Sequence, residues 1–369
     1  MNTQAPPWNR MFRRSQSAVH TWVWEPWHIW LCGLALLAAS LIFASTRGAY
    51  TLSWPDLWRA FSSQHAGTEP INASQLVFLN IRLPRLLLGI AAGAGLGMAG
   101  ALMQGLFRNP LADPGLIGVS SGAALAAGIT IVVAASLMPE LPRKLGSWTL
   151  VLMAFAGSLL VTTLIYVLAQ NAATGMGTNM ALMLLAGVAV NALAGAGLGF
   201  LSFLATDEQL RSLQFWLLGS LGGARWSAVI LVLFVVSITC AAALMLARSL
   251  NALALGEAQA SMLGVQVERL KRQCIVITAL AVGCITATTG IIGFIGLVAP
   301  HAMRLLAGSD HRLVLPGSAL LGASLVLLAD AVARTIAQPA ELPLGVLTAF
   351  VGVPFFLLLL LTQRSRIAL

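Results

Sequence analysis

The sequence has very few charged side chains for its length. Of its 369 residues, 9% are Asp, Glu, Lys or Arg, whereas an ordinary soluble domain carries about 25%. Hydrophobic residues make up 58%, and no charged residue occurs between Lys144 and Asp207. A helix that crosses a bilayer needs about 20 predominantly apolar residues, and its backbone groups must be satisfied within the segment. The composition therefore predicts an all-α polytopic membrane protein.

Motifs for catalysis and for ATP binding are also missing. The sequence contains no GxxxxGK[ST] phosphate loop and no HExxH motif. It also has no cluster of His, Cys and carboxylates at the spacing of metal ligands. The four cysteines lie inside apolar runs without CxxC spacing, which favours a packing role over a disulfide or metal role. We therefore expect a chain that is not an enzyme and binds no metal or cofactor.

The excess of basic residues does not indicate nucleic-acid binding. The net charge is +9 and the sequence pI is about 10.7, but the basic residues are scattered among loops and helix ends. They form no continuous stripe of the kind that nucleic acid needs. Lys and Arg beside apolar runs are typical of membrane spans. Membrane lipid, and not nucleic acid, is the expected surrounding.

Ionisable side chains are absent from the middle of the predicted spans. Carriers driven by a proton or sodium gradient usually hold such a group near mid-membrane. His301, Arg304, Asp330 and Arg334 all lie toward span ends. Either another polypeptide supplies the energy, or the chain is a passive channel. A secondary transporter or channel working alone remains the alternative from a different class.

The apolar runs predict one transmembrane domain over residues 30–363, with a tail of residues 1–29 before it and a tail of residues 364–369 after it. Ten spans are predicted, and an even number places both tails on one side. The basic residues near both tails favour the cytoplasm for that side, with the N- and C-termini inside. The predicted spans are 31–46, 86–107, 114–137, 147–169, 180–205, 226–247, 273–291, 293–307, 313–333 and 343–361.

Two hydrophilic segments between spans are long enough to have structure of their own. Residues 48–80 are expected outside, where the run from Trp54 to Trp58 predicts a short helix on the membrane surface. Residues 249–272 are expected inside. There Gly256 and Gly264 predict a short helix, a break and a second short helix.

Glycines are concentrated in particular spans. Gly93 and Gly97 form a GxxxG step in the second span, which predicts close helix packing. Glycines in the fifth span permit the same interpretation or the lining of a pore. The run Gly115–Val119 recurs as Gly293–Leu297 five spans later. An odd offset would make the two copies an inverted repeat, an arrangement common in transporters.

Five motifs in order along residues 80–360 carry a resemblance to a known family. The chain resembles the permeases of ABC importers for iron chelates, haem and vitamin B12, which are large ten-span type II importers. The run after the second span looks closest to haem permeases. The motifs are Arg82–Arg85, Gln104–Gly118, Gly256–Gly264, Gly293–Arg304 and Ala340–Gly345.

The resemblance implies a set of partners in a bacterial inner membrane. Two copies of the permease form the pathway along their interface, and two ATP-binding subunits that hold ATP and magnesium dock beneath them. A periplasmic substrate-binding protein delivers haem or a ferric chelate. A siderophore or cobalamin cargo remains the alternative within the family. His301 is a conceivable haem ligand, but it follows Pro300 in a motif that permeases for different cargoes share.

The resemblance also assigns roles to particular residues. In the 249–272 segment, Gly256 and Gly264 would be the breaks between coupling helices that seat in the ATPase, and an ordinary surface loop is the alternative. A cytoplasmic gate would lie at the turn after the second span, and a simple tight turn is the alternative. The coupling residues are Gly256, Glu257, Ala258, Ala260, Leu263 and Gly264, with Ala258, Ala260 and Leu263 as the contact face; the gate residues are Asn109, Pro110 and Leu111, with Met180 opposite.

Three arginines at the outer ends of spans disagree with the positive-inside rule. Arg82, Arg85 and Arg334 present planar guanidinium groups suited to carboxylates. The resemblance implies that they meet glutamates on the two lobes of the binding protein. Local pairing is the alternative, above all for Arg334, because Asp330 lies four residues before it.

Overall fold

The structure is a computed structural model that describes residues 26–48, 73–134, 145–170, 177–338 and 340–367. Apart from one isolated bridge between Gln170 and Thr178, these residues form helices joined by turns. The α-helices of six or more residues are α1 Pro26–Thr46, α2 Leu83–Leu106, α3 Val119–Ile129, α4 Trp148–Leu168, α5 Met180–Leu204, α6 Asp207–Leu217, α7 Trp226–Met245, α8 Ala247–Ala254, α9 Glu257–Met262, α10 Val267–Thr289, α11 Ile295–Ala307, α12 His311–Ile336 and α13 Leu344–Ile367. A five-residue helix, Ala73–Val77, and a π-helical stretch, Phe78–Arg82, precede α2, and a second π-helical stretch, Thr130–Ala134, follows α3.

Ten apolar helices match the ten predicted spans. Among the described residues, seven helices are long and apolar enough to cross a membrane, and three shorter apolar helices accompany them. Some bounds differ from the prediction. Helix α3 begins at Val119 and not at residue 114, and α10 begins at Val267 and not at residue 273, because a polar first turn extends α10 beyond its apolar run. The all-α polytopic fold is confirmed. The predicted surface helix at Trp54–Trp58 and residues 1–25 of the N-terminal tail lie outside the described residues.

The bundle has two ends, which we call lower and upper. The lower end carries α8, α9 and residues 263–266 that follow them, and α5 and α10 begin there. The upper end carries the last turns of α1 and α12, which the side chain of Arg334 joins by hydrogen bonds to α1. Helix α13 starts at this upper end, since the N–H of Leu342 just before it donates to the carbonyl of Ala333 near the end of α12 at 3.1 Å.

Helix α2 lies at the centre of the bundle, and every residue from Gly95 to Leu106 is buried. Its glycines allow backbones to touch. A Cβ atom on Gly93 would lie 2.2 Å from the carbonyl oxygen of Gly322 in α12, and one on Gly100 would lie 1.7 Å from that of Gly296 in α11. Contacts this close leave no room for any side chain. The packing role predicted for the GxxxG step is confirmed.

Two short helices begin inside the bundle. A 3₁₀ turn, Pro114–Ile117, leads into α3 through Gly118 at φ 78°, and Phe294 at φ 66° precedes α11. Their starts meet, because a Cβ on Gly296 would lie 3.1 Å from the Cδ of Pro114. Both similar sequence runs thus contain a left-handed residue before a short helix, although it is the fourth residue of the first run and the second residue of the other. Their origin as an inverted repeat stays a prediction.

Candidate functional site

The lower end presents the helix pair that the sequence predicted. Helices α8 and α9 are separated at Gly256, which has φ 120°, and α9 ends before Gly264, which has φ 83°. Residues other than glycine rarely adopt such angles, so both breaks depend on glycine. Apolar side chains face outward here: Met262 is 88% exposed and Leu263 is 65% exposed. Exposed apolar groups at a helix break suit contact with another protein.

One residue of the predicted contact face points the other way. Ala258 and Leu263 are exposed, but Ala260 is fully buried within the chain. Successive side chains of an α-helix point in directions about 100° apart. Ala260 therefore faces the bundle while its neighbours face outward. The exposed face is therefore Ala258, Met262 and Leu263. The sequence prediction placed Ala260 on this face and left Met262 out.

Lys271 joins the helix pair to two long helices. It lies in the second turn of α10 and is almost fully buried. Its Nζ is 2.9 Å from a carboxylate oxygen of Glu257 in α9, 2.9 Å from one of Glu268, and 2.9 Å from the carbonyl oxygen of Thr178. Glu268 also accepts from the N–H of Thr178 at 2.8 Å. Thr178 stands two residues before α5, so one ammonium group links α9, α10 and α5.

A second polar cluster fixes the middle of α8 to the turn between α11 and α12. The amide of Asn251 donates to Asp310 at 2.6 Å, and its oxygen accepts from the N–H of His311 at 2.9 Å. Asp310 also caps α12 by accepting from the N–H of Arg312. Burial raises the pKa of Asp310, but the N–H of Arg312 and the Asn251 amide outweigh it, so this pKa lies below its ordinary value. Each helix of the pair is thus held by a polar contact, α8 through Asn251 and α9 through Glu257.

The predicted gate residues form a tight turn between α2 and the 3₁₀ turn. The side-chain oxygen of Asn109 accepts from the N–H of Leu111 at 2.9 Å, and its carbonyl accepts from Ala112 at 3.1 Å. Leu111 is half-buried. Met180, predicted to lie opposite, is the first residue of α5 and is partly buried against the core. The backbone at residues 109–112 is the simple tight turn that the sequence analysis gave as the alternative. A gate function for these residues stays a prediction.

Helix α5 is anchored to the segment that follows the turn. The amide of Asn191 donates to the carbonyl of Gly115 at 3.2 Å and its oxygen accepts from Ser121 at 2.5 Å. A Cβ on Gly187 would lie 2.1 Å from the carbonyl oxygen of Leu116. Movement of α5 would therefore act on residues 109–118. Asn191 is a polar residue within an apolar span, and this pattern in the sequence indicates a polar contact with a neighbouring segment.

The upper end holds a buried ion-pair cluster. Arg85 lies 2.9 Å from Asp330 and 3.0 Å from Glu341, and Arg334 lies 3.0 Å from the other oxygen of Asp330. The side chain of Asp330 is 3% exposed, whereas that of Glu341 is 47% exposed. Two guanidinium groups thus share one buried carboxylate. The local pairing of Arg334 with Asp330, left open by the sequence, is present.

Arg334 and Arg82 also cap the end of α1. Arg334 donates to the carbonyls of Ala44 and Arg47, each at 3.1 Å, and Arg82 donates to the carbonyl of Ser45. Cations at the C-terminus of a helix satisfy its free carbonyls and oppose its dipole. The three arginines therefore have intramolecular partners. Docking of a binding protein on Arg82, Arg85 and Arg334 stays a prediction, and it requires them to exchange those partners.

The described residues contain no group of three or more His, Cys, Asp or Glu side chains that could hold a metal ion. His301 is buried in α11, where its ring meets the edge of Phe355 at 6.2 Å between centroids.

A bundle of apolar helices, with two helices that start inside it and an exposed helix pair at one end, is the architecture of a polytopic membrane protein. The chain belongs to the FecCD transport family, whose model matches residues 36–362. The hemin transport system permease protein HmuU of Yersinia pestis is 45% identical over 333 residues, which are 90% of this chain and 95% of that protein. The cobalamin import system permease protein BtuC of Halobacterium salinarum is 41% identical over 85% of this chain and 81% of that protein.

Solved structures agree with this assignment. A metal-chelate type ABC transporter in an inward-facing conformation matches with a TM-score of 0.78 and 29% sequence identity. The match covers 92% of this chain and 100% of that one. The chain is therefore the permease subunit of an ABC importer, as the sequence motifs predicted.

Proposed function

We propose that this permease imports haem or a ferric chelate, driven by ATP hydrolysis on two separate subunits that hold ATP and magnesium. The observation that carries the proposal is the exposed face of Ala258, Met262 and Leu263, fixed to α5 and α10 through Lys271. Force on α9 from an ATPase would reach α5 directly. Two copies of the chain would form the pathway, and α5 would move the turn at residues 109–111.

The orientation follows from the same proposal. The lower end would face the cytoplasm of a bacterium, since the ATPases work there, and both termini would lie on that side of the inner membrane. The upper end would receive a periplasmic binding protein. Similarity to the Yersinia pestis hemin permease supports haem over cobalamin as cargo. A siderophore is the second candidate within the family.

The cargo is tested by ATPase activity in the assembled transporter. We expect the cognate binding protein to stimulate hydrolysis most strongly when it is loaded with haem. Empty binding protein, and binding protein offered a ferric siderophore or cobalamin, serve as comparisons. Stronger stimulation with cobalamin or a siderophore would reject haem and keep the permease assignment.

The gate is tested by removing the apolar side chain of its turn. Leu111→Ala should raise passive leak of cargo through transporter-containing vesicles, because a half-buried leucine that excludes water is lost. Leu145→Ala, a partly exposed leucine near the start of α4 at the upper end, is the matched control and should not leak. Equal leak in Leu111→Ala and the parent protein would leave residues 109–111 as a structural turn only.

A further inference from the structure

A groove of about 370 Å³ runs along the outer surface of the bundle between α4 and α10. It is separate from the helix pair and from the turn at residues 109–111. Its lining residues are Leu159, Thr162, Thr163, Tyr166, Arg272, Ile275, Val276, Ala279 and Leu280.

The polar side chains of the groove collect at its lower end. Tyr166 stands two residues before the end of α4, and Arg272 stands five residues after the start of α10. At 1.5 Å per residue, both lie within about 8 Å of their helix ends. Tyrosine and arginine at this depth are typical of the boundary between lipid tails and headgroups. The leucine, isoleucine and valine side chains lie further up, where acyl chains would run.

Two neighbouring basic residues show why this end of the groove carries free positive charge. Lys271 turns inward and is neutralised by Glu257 and Glu268. Arg272 is exposed, and within the described part of the chain no ion pair involves it. Its planar guanidinium suits the oxygens of a phosphate group.

A threonine in the groove wall has a hydroxyl that is unpaired within the described part of the chain. The side-chain oxygen of Thr162 is buried and, among the described residues, lacks a hydrogen-bond partner. Threonines in helices commonly donate to the carbonyl four residues earlier, as Thr239 does to Val235 at 2.8 Å. Thr162 makes no such bond, but its hydroxyl oxygen is shielded by neighbouring atoms of the wall and is not exposed to the groove.

We propose that this groove binds an anionic phospholipid. Arg272 and the hydroxyl of Tyr166 would hold the headgroup phosphate and glycerol oxygens, and an acyl chain would lie along Leu159 and Val276. Basic pockets between spanning helices at the cytoplasmic side are suited to such lipids. Because α10 carries Lys271 beside Arg272, the lipid would brace the helix that meets the coupling pair. This last consequence rests on the proposed function; the binding does not.

The test measures lipid retention by native mass spectrometry of the purified permease. Phosphatidylglycerol and phosphatidylcholine with identical acyl chains are the probes. We expect the parent protein to prefer phosphatidylglycerol by about fivefold, the effect of one basic residue near an anionic lipid. Arg272→Gln should remove the preference, and Ala279→Trp should reduce binding of both lipids by filling the groove.

Arg269→Gln is the matched control, because Arg269 is exposed on the same helix but does not line the groove. It should keep the preference. An equal loss of the phosphatidylglycerol preference in Arg269→Gln and Arg272→Gln would overturn the proposal, since the preference would then come from general surface charge and not from the groove. Displacement of phosphatidylglycerol by millimolar inorganic phosphate would overturn it as well, because the site would then be a simple anion site.

Discussion

Replacing Lys271 with methionine is expected to reduce ATP-driven uptake at least about tenfold, while the permease still folds and still binds its ATPase. Methionine keeps the apolar stem but loses the bonds to Glu257, Glu268 and Thr178. The bond to the buried carbonyl of Thr178 involves a charged donor and is worth about 1.5–3 kcal/mol, whereas the half-exposed carboxylates contribute less. Its loss alone exceeds the roughly 1.4 kcal/mol that corresponds to a factor of ten.

The fold should survive this change because the carboxylates left behind can reach water. The side chains of Glu257 and Glu268 are 45% and 48% exposed, so solvent screens their charges. Arg269→Met, at an exposed position on the same helix, is the control. The two variants should pull down equal amounts of ATPase and differ in uptake. Normal uptake in Lys271→Met would show that α9 does not act through this lysine.

Replacing Asp330 with alanine is expected to destabilise the permease by about 3–5 kcal/mol, the usual cost of breaking a buried ion pair by removing one partner. Asp330 is the buried carboxylate between Arg85 and Arg334. Without it, two guanidinium groups in the bundle face each other with less compensation. Unfolding in detergent, followed by circular dichroism, measures the loss.

Glu341→Ala is the matched control for this prediction, since it removes the other carboxylate from the same arginine. The Glu341 side chain is about half exposed, and exposed pairs contribute only about 0.2–1 kcal/mol. Its cost should therefore be much smaller. Equal losses in the two variants would mean that burial does not set the strength of this cluster.

The helices could be predicted from the sequence because lipid imposes a simple rule. Charge-free runs of span length occur where the structure has apolar helices, and the glycines of α2 mark its close contacts with α11 and α12. The break at Gly256 was also predictable, since few other residues tolerate its φ angle. These features depend on local sequence.

The contacts of the site could not be predicted, because their partners are far apart in the chain. Arg85 and Asp330 are separated by 245 residues, and Lys271 and Thr178 by 93. Local spacing suggested only the pairing of Asp330 with Arg334. The orientation of Ala260 was missed for another reason: six residues are too few for a helical period to show which face is buried.

The most direct test of an ATP-driven importer is uptake into proteoliposomes that contain the permease and its ATPase. With haem-loaded binding protein outside, uptake should require ATP inside, and a non-hydrolysable analogue should not support it. Vesicles with the permease alone should take up no haem, whether or not a proton or sodium gradient is present. Gradient-driven uptake by the permease alone would contradict the assignment and favour a secondary transporter.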